Sequence, residues 1–137
     1  MRKRIASICL LAALSACRSD TPEAQVRRIF EACRAAVEAG DAEAAAAPLD
    51  PGFQGPEGLD RTTARLFLAG LFRQGKVGVT VVRNEVAVRG DEAIQEVDLI
   101  LTSRQGGLLP QDASQRAFRL TWRKTQGDWL LREVRAL

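Results

Sequence analysis

The 137-residue chain contains no histidine and no tyrosine, a single methionine, five prolines and an aromatic content of 5%. Without His, the commonest general base and the commonest nitrogen metal ligand are both missing, so His-based acid–base catalysis and His-containing metal sites are excluded. The three cysteines and scattered carboxylates form no cluster with metal-ligand spacing, so the expectation is no metal and no cofactor. What is present is a chain 46% hydrophobic and 27% charged, which is the composition of a globular domain and not of a disordered tail. Its length accommodates one compact domain.

The formal charge of +3 points first to nucleic acid, but it is concentrated at the N-terminus. Arg2, Lys3 and Arg4 precede an apolar run from Ile5 to Leu14 that is broken only by Ser7. About ten residues suit the hydrophobic region of an export signal and fall well short of the ~20 that span a bilayer. The run leads into Leu14-Ser15-Ala16-Cys17, which resembles the lipobox of bacterial lipoproteins at every position. The resemblance implies cleavage before Cys17, lipid attachment to the Cys17 thiol and acylation of its new amino terminus. Two or more acyl chains make a stable membrane anchor where one would be marginal. Arg18 stands where Asp would mark inner-membrane retention in such proteins, so an exported protein anchored in the outer membrane and facing the periplasm is favoured over the inner membrane.

Loss of residues 1–16 removes three of the 20 basic residues and none of the 17 acidic ones, leaving a neutral remainder. No basic stripe survives, since Arg27-Arg28 and Arg123-Lys124 are isolated pairs, and no nucleic-acid partner is expected. Cys9 leaves with the signal and Cys17 carries lipid, so Cys33 is the one thiol of the folded domain. It lies on the apolar stripe of a helix with no base to activate it, and core packing is its expected role.

The first half of the remainder reads as helical. Thr21 caps a helix opened by Pro22 and Glu23, with Val26, Ile29, Phe30, Cys33, Ala36 and Val37 along one face and Gly40 closing it. Asp41 caps a second, Ala-rich turn reaching Ala47. Pro48, Pro51, Gly52, Gly55, Pro56 and Gly58 predict a loop around Phe53, and Asp60 caps a third helix that ends near Gly75. The second half reads as strands: Val77 to Arg89, a Gly90-Asp91 turn, Glu92 to Ser103, a loop over 104–112, a strand carrying Phe118, Leu120 and Trp122, and a last strand from Trp129 to Arg135. The first of these, at about 13 residues, is long enough to require a bend or bulge. Helices followed by a run of antiparallel strands predict an α+β fold with the N-terminal helices on one face of a curved antiparallel sheet. The organisation is a signal over 1–16, a lipidated Cys and tether over 17–20, and one domain over 21–137.

This order, together with the Val26-Arg27-Arg28-Ile29-Phe30 helix, the Gly40-Asp41 step, the Asp50-Pro51-Gly52-Phe53 loop and the closing Thr121-Trp122 … Gly127-Asp128-Trp129 hairpin, resembles the nuclear transport factor 2-like (SnoaL-like) superfamily with its cystatin-like cone. The resemblance implies a bent sheet wrapped around helices with a cavity between them. Superfamily members range from isomerases, dehydratases and hydrolases to protein-binding modules, so the fold alone assigns no activity. Tyr and His, on which ketosteroid isomerase-like and scytalone dehydratase-like members rely, are absent here. An epoxide hydrolase-like Asp–Arg set has only Asp98 and Arg119 to draw on.

Asp98 is therefore the one weak catalytic candidate. It shares with Glu96 the more polar face of its strand, and two solvated acids are the expectation there. Trp122 is placed in the core or at the cavity rim, and Gln95, Arg116 and Arg65 are the polar residues expected to meet a ligand. Gly106-Gly107 joins two strands and opens no helix, which excludes a phosphate-binding loop. Leu108-Leu109-Pro110 has to be covered, to line the cavity mouth or to meet a partner. Three functions follow. A non-enzymatic, lipid-anchored envelope module that binds a partner protein or supports an envelope assembly leads, its partner being an envelope protein or a second copy, ahead of a carrier or sensor for a small apolar ligand. A SnoaL-like hydrolase, lyase or isomerase comes third. A sealed cone favours the first, an open cavity the second, and a buried carboxylate facing an Arg the third.

Overall fold

The computed structural model describes residues 20–103 and 115–137. The export signal, Cys17 and the stretch containing Gly106-Gly107 and Leu108-Leu109-Pro110 lie outside the described residues.

Helix α1 (Pro22–Ala39) starts where Thr21 Oγ1 accepts the Ala24 N–H at 3.1 Å, with Pro22 in the first turn. It stops at Gly40, whose φ of 72° lets its N–H and that of Asp41 turn back onto the Val37 and Ala36 carbonyls. Val26, Phe30 and Ala36 form its buried face. The Asp41 carboxylate caps the short α2 (Ala42–Ala46) through the Ala44 N–H. At α3 (Arg61–Gln74) Asp60 and Thr63 cap reciprocally, each side chain accepting the other's backbone N–H at 2.8 and 2.9 Å.

The segment predicted as a loop around Phe53 is instead a strand, β1 (Leu49–Gln54). It runs parallel to the last strand at the sheet edge, where Pro51 gives up no ladder bond that the sheet needs. The Pro48 carbonyl accepts the Leu131 N–H at 2.8 Å, and Leu49 and Phe53 point into the core. Strands β2 (Val77–Arg89), β3 (Glu92–Ser103), β4 (Gln115–Thr125) and β5 (Asp128–Ala136) form an antiparallel meander, giving the order β1-β5-β4-β3-β2. The sheet is thus mixed rather than wholly antiparallel. The long β2 has its irregularity between Val81 and Arg83, which leaves Val82 exposed.

The concave face of the sheet receives α1, with Val26, Val97 and Trp122 wholly excluded from solvent. The cone has two distinct ends. At one, Trp129 at the start of β5 donates its indole N–H to Gln25 in the first turns of α1, beside the β2–β3 and β4–β5 hairpins. At the other, Glu38 near the end of α1 accepts the Val79 N–H at the start of β2.

Candidate functional site

Alternation along β3 turns Ala93, Gln95 and Val97 inward. Gln95 is fully buried among apolar neighbours, and both ends of its amide are engaged. Its Oε1 accepts the Trp122 indole N–H at 2.9 Å, and its Nε2 donates to Asn84 Oδ1 at 2.9 Å. Trp122 takes the core place that was one of its two expected ones, Gln95 is buried beside it, and neither is among the residues lining the two clefts described below. The reason is local: a buried indole N–H needs an acceptor, and a buried amide has to satisfy both its ends. Every buried side-chain polar atom among the described residues has a partner.

The acids of β3 face outward. The Arg83 guanidinium lies against Asp98 (Nε–Oδ2 3.0 Å), and also reaches Glu85 at 3.2 Å and Glu96 at 3.4 Å. Glu96 is held chiefly by Arg119, at 2.8 Å. The Arg119 hydrogen bond, opposed by partial desolvation, keeps the Glu96 carboxyl below its ordinary value. The structure does not bring Asp98 and Arg119 together: Arg119 pairs with Glu96, and Asp98 with Arg83. The Glu96 carboxylate is thereby stabilised in its charged form, the opposite of what a general acid near neutrality requires.

Cys33 is half-buried in α1, and burial pushes its thiol up to about 11. Among the described residues no three His, Cys, Asp or Glu side chains come together as a metal-binding group.

The open end of the cone carries a cavity of about 740 Å³ between the β1–α3 connection, α3 and the far ends of β4 and β5. Leu59, Phe67, Phe118 and Val134 supply its apolar wall, and Glu57, Arg116, Glu133 and Arg135 its charges. Arg116 thus lies at this cavity. Arg65 does not; it stands with Arg61, Thr62 and Glu43 at a separate cleft of about 460 Å³ between α2 and α3. The sequence reading missed Phe67 as a cavity residue. Its signal was the Leu66-Phe67 pair, since adjacent helical residues cannot both face one core, and both are more than half exposed.

No family model matches the sequence, and no curated protein matches it. Solved structures do resemble it. A function-unknown protein from Mycobacterium tuberculosis superposes with a TM-score of 0.71 at 15% identity, covering 82% of this chain and 73% of its own. A nuclear transport factor 2-like protein of unknown function from Pseudomonas putida gives 0.71 at 14% identity over 83% and 84% of the two chains. A candidate dehydratase of the nuclear transport factor 2-like family from Streptomyces avermitilis gives 0.68 at 20% identity over 82% and 91%. At these identities the likeness speaks to architecture alone: the chain has the cystatin-like, α+β fold of nuclear transport factor 2-like proteins.

Proposed function

We propose that the protein is a lipid-anchored cell-envelope module that binds a partner and catalyses no reaction. In this reading it is exported, cleaved before Cys17, and held by acyl chains on Cys17 at the periplasmic face of the outer membrane. The observation that carries the binding role is the filled cone, in which Gln95, Trp122 and Asn84 satisfy one another. The acids nearest to a catalytic arrangement, Asp98 and Glu96, sit outside it in ion pairs with Arg83 and Arg119. The lipobox match at Leu14–Cys17 supports the anchor. Labelled palmitate fed to expressing cells is expected to enter the wild-type chain and not Cys17→Ser, and crosslinking in intact envelopes is expected to trap one recurrent partner or a second copy. Acylation of Cys17→Ser overturns the anchor, and recovery of uncrosslinked monomer alone overturns the partner.

A second reading has an observation of its own in the cavity of about 740 Å³ at the open end, a volume in the range of small-molecule sites. In that reading the protein carries a small apolar ligand.

A further inference from the structure

The cavity at the open end of the cone has one apolar wall and an uneven set of charges. Leu59, Phe67, Phe118 and Val134 line it, and Phe67 leaves 58% of its surface exposed toward whatever enters. Of the two cations, Arg135 is closed onto Glu133 at 2.7 Å on the same strand. Arg116, the second residue of β4, is a cavity cation with no ion pair or side-chain hydrogen bond among the described residues. The remaining acid, Glu57, belongs to the opposite wall, on the short turn before α3. A guanidinium with no side-chain partner among the described residues, beside an apolar wall, matches a carboxylate on a hydrocarbon body, because the fork satisfies both carboxylate oxygens while the chain covers Phe67 and Phe118.

The geometry points to a site for an amphiphile with one carboxylate, its acid group on Arg116 and its apolar body against Phe67, Phe118, Leu59 and Val134. This deepens the carrier reading above and rests on it. Decanoate, decanol and decylamine, which share a hydrocarbon chain and differ in charge, separate the alternatives. Each is titrated into the full chain bearing Cys17→Ser, so that no acyl anchor interferes. Binding is followed through the backbone amide resonances of Phe118, Val134 and Ala136, which report this cavity and not the apolar N-terminus.

Decanoate is expected to saturate these shifts and to bind about tenfold more tightly than decanol, the usual scale of one charge-assisted hydrogen-bonded pair. Arg116→Gln is expected to bring decanoate down to the decanol affinity while leaving decanol unchanged. Phe67→Ser is expected to weaken both. Equal binding of decanoate and decanol in the wild type, or preference for decylamine through Glu57, overturns the carboxylate site but leaves a carrier of apolar ligands standing. Absence of saturable shifts with all three probes overturns both.

Discussion

Replacing Gln95 with Leu keeps the side-chain volume close but strips the bridge between the buried Trp122 indole and the half-buried Asn84 amide. The Trp122 indole loses its acceptor and, wholly buried, cannot turn to water, while Asn84 loses its donor at a half-buried position. Leaving a buried group unsatisfied costs about 1–3 kcal/mol, so Gln95→Leu is expected to lower the urea midpoint by an amount equivalent to about 2–3 kcal/mol. A variant within 0.5 kcal/mol of wild type, by the same order-of-magnitude reckoning for surface positions, would show that the bridge is dispensable. Cys33 gives a second residue-scale expectation, this time in pH. Its thiol ionises at an ordinary 9.0 when exposed and at about 11 in the fold, because burial disfavours the thiolate. The folded chain therefore holds that proton more tightly than the unfolded one. The stabilisation is whole below pH 9 and is lost as the pH climbs through 11, by about 3 kcal/mol at most. Alkaline denaturation series of wild type and Cys33→Ala should converge over that window, and parallel curves would deny the thiol this role.

At the scale of elements, what could be read ahead of the structure was what local chemistry enforces. Thr21, Asp41 and Asp60 each offer an oxygen to the first turn of a helix, and the three helices begin there. Gly90 and Gly127 take the positive φ that tight hairpins need, and the strands on either side follow. β1 was illegible because its stability is not local. Leu49 and Phe53 are held by the parallel partner β5, some eighty residues away in sequence, and Pro51 and Gly52 carry the marks of a loop. Gln95 was placed correctly on the inward face, but its partners were hidden because Asn84 and Trp122 reach it diagonally across two different strands. The end of β1 offers a test of how tightly this edge is built. A Cβ added at Gly55 would come within 2.9 Å of the Phe53 ring and 3.1 Å of Leu59 Cβ, so the ring or the turn must shift. Gly55→Ala is expected to cost about 1–3 kcal/mol by calorimetry, as overpacking does, while Gly58→Ala, with no atom near its Cβ, meets only the strain of a φ of 78°.

For the whole molecule, the two ends of the cone carry different duties once the proposed anchor is taken with the fold. The tether from Cys17 to the helix cap at Thr21 spans at most ~13 Å. It joins the domain at the end that holds the hairpins, where Gln25 meets Trp129 and Lys124 lies 5.9 Å over the same indole. The cavity opens at the other end, beyond the 18 residues of α1, or roughly 27 Å of helix. A tether shorter than the body it holds cannot lay both ends on one bilayer unless the domain lies flat. The hairpin end is therefore expected to face lipid and the cavity to face the aqueous side, so that a ligand or partner arrives from the periplasm rather than from the membrane. Single-cysteine labelling distinguishes these arrangements, since burial and the raised thiol pKa leave Cys33 poorly reactive at neutral pH. A fluorophore at Thr125→Cys in the β4–β5 hairpin should be quenched by brominated lipid in vesicles bearing the acylated protein. The same fluorophore at Glu57→Cys on the cavity rim should not. Equal quenching at both sites would mean that the domain lies on its side, and the cavity would then draw its ligand from the bilayer.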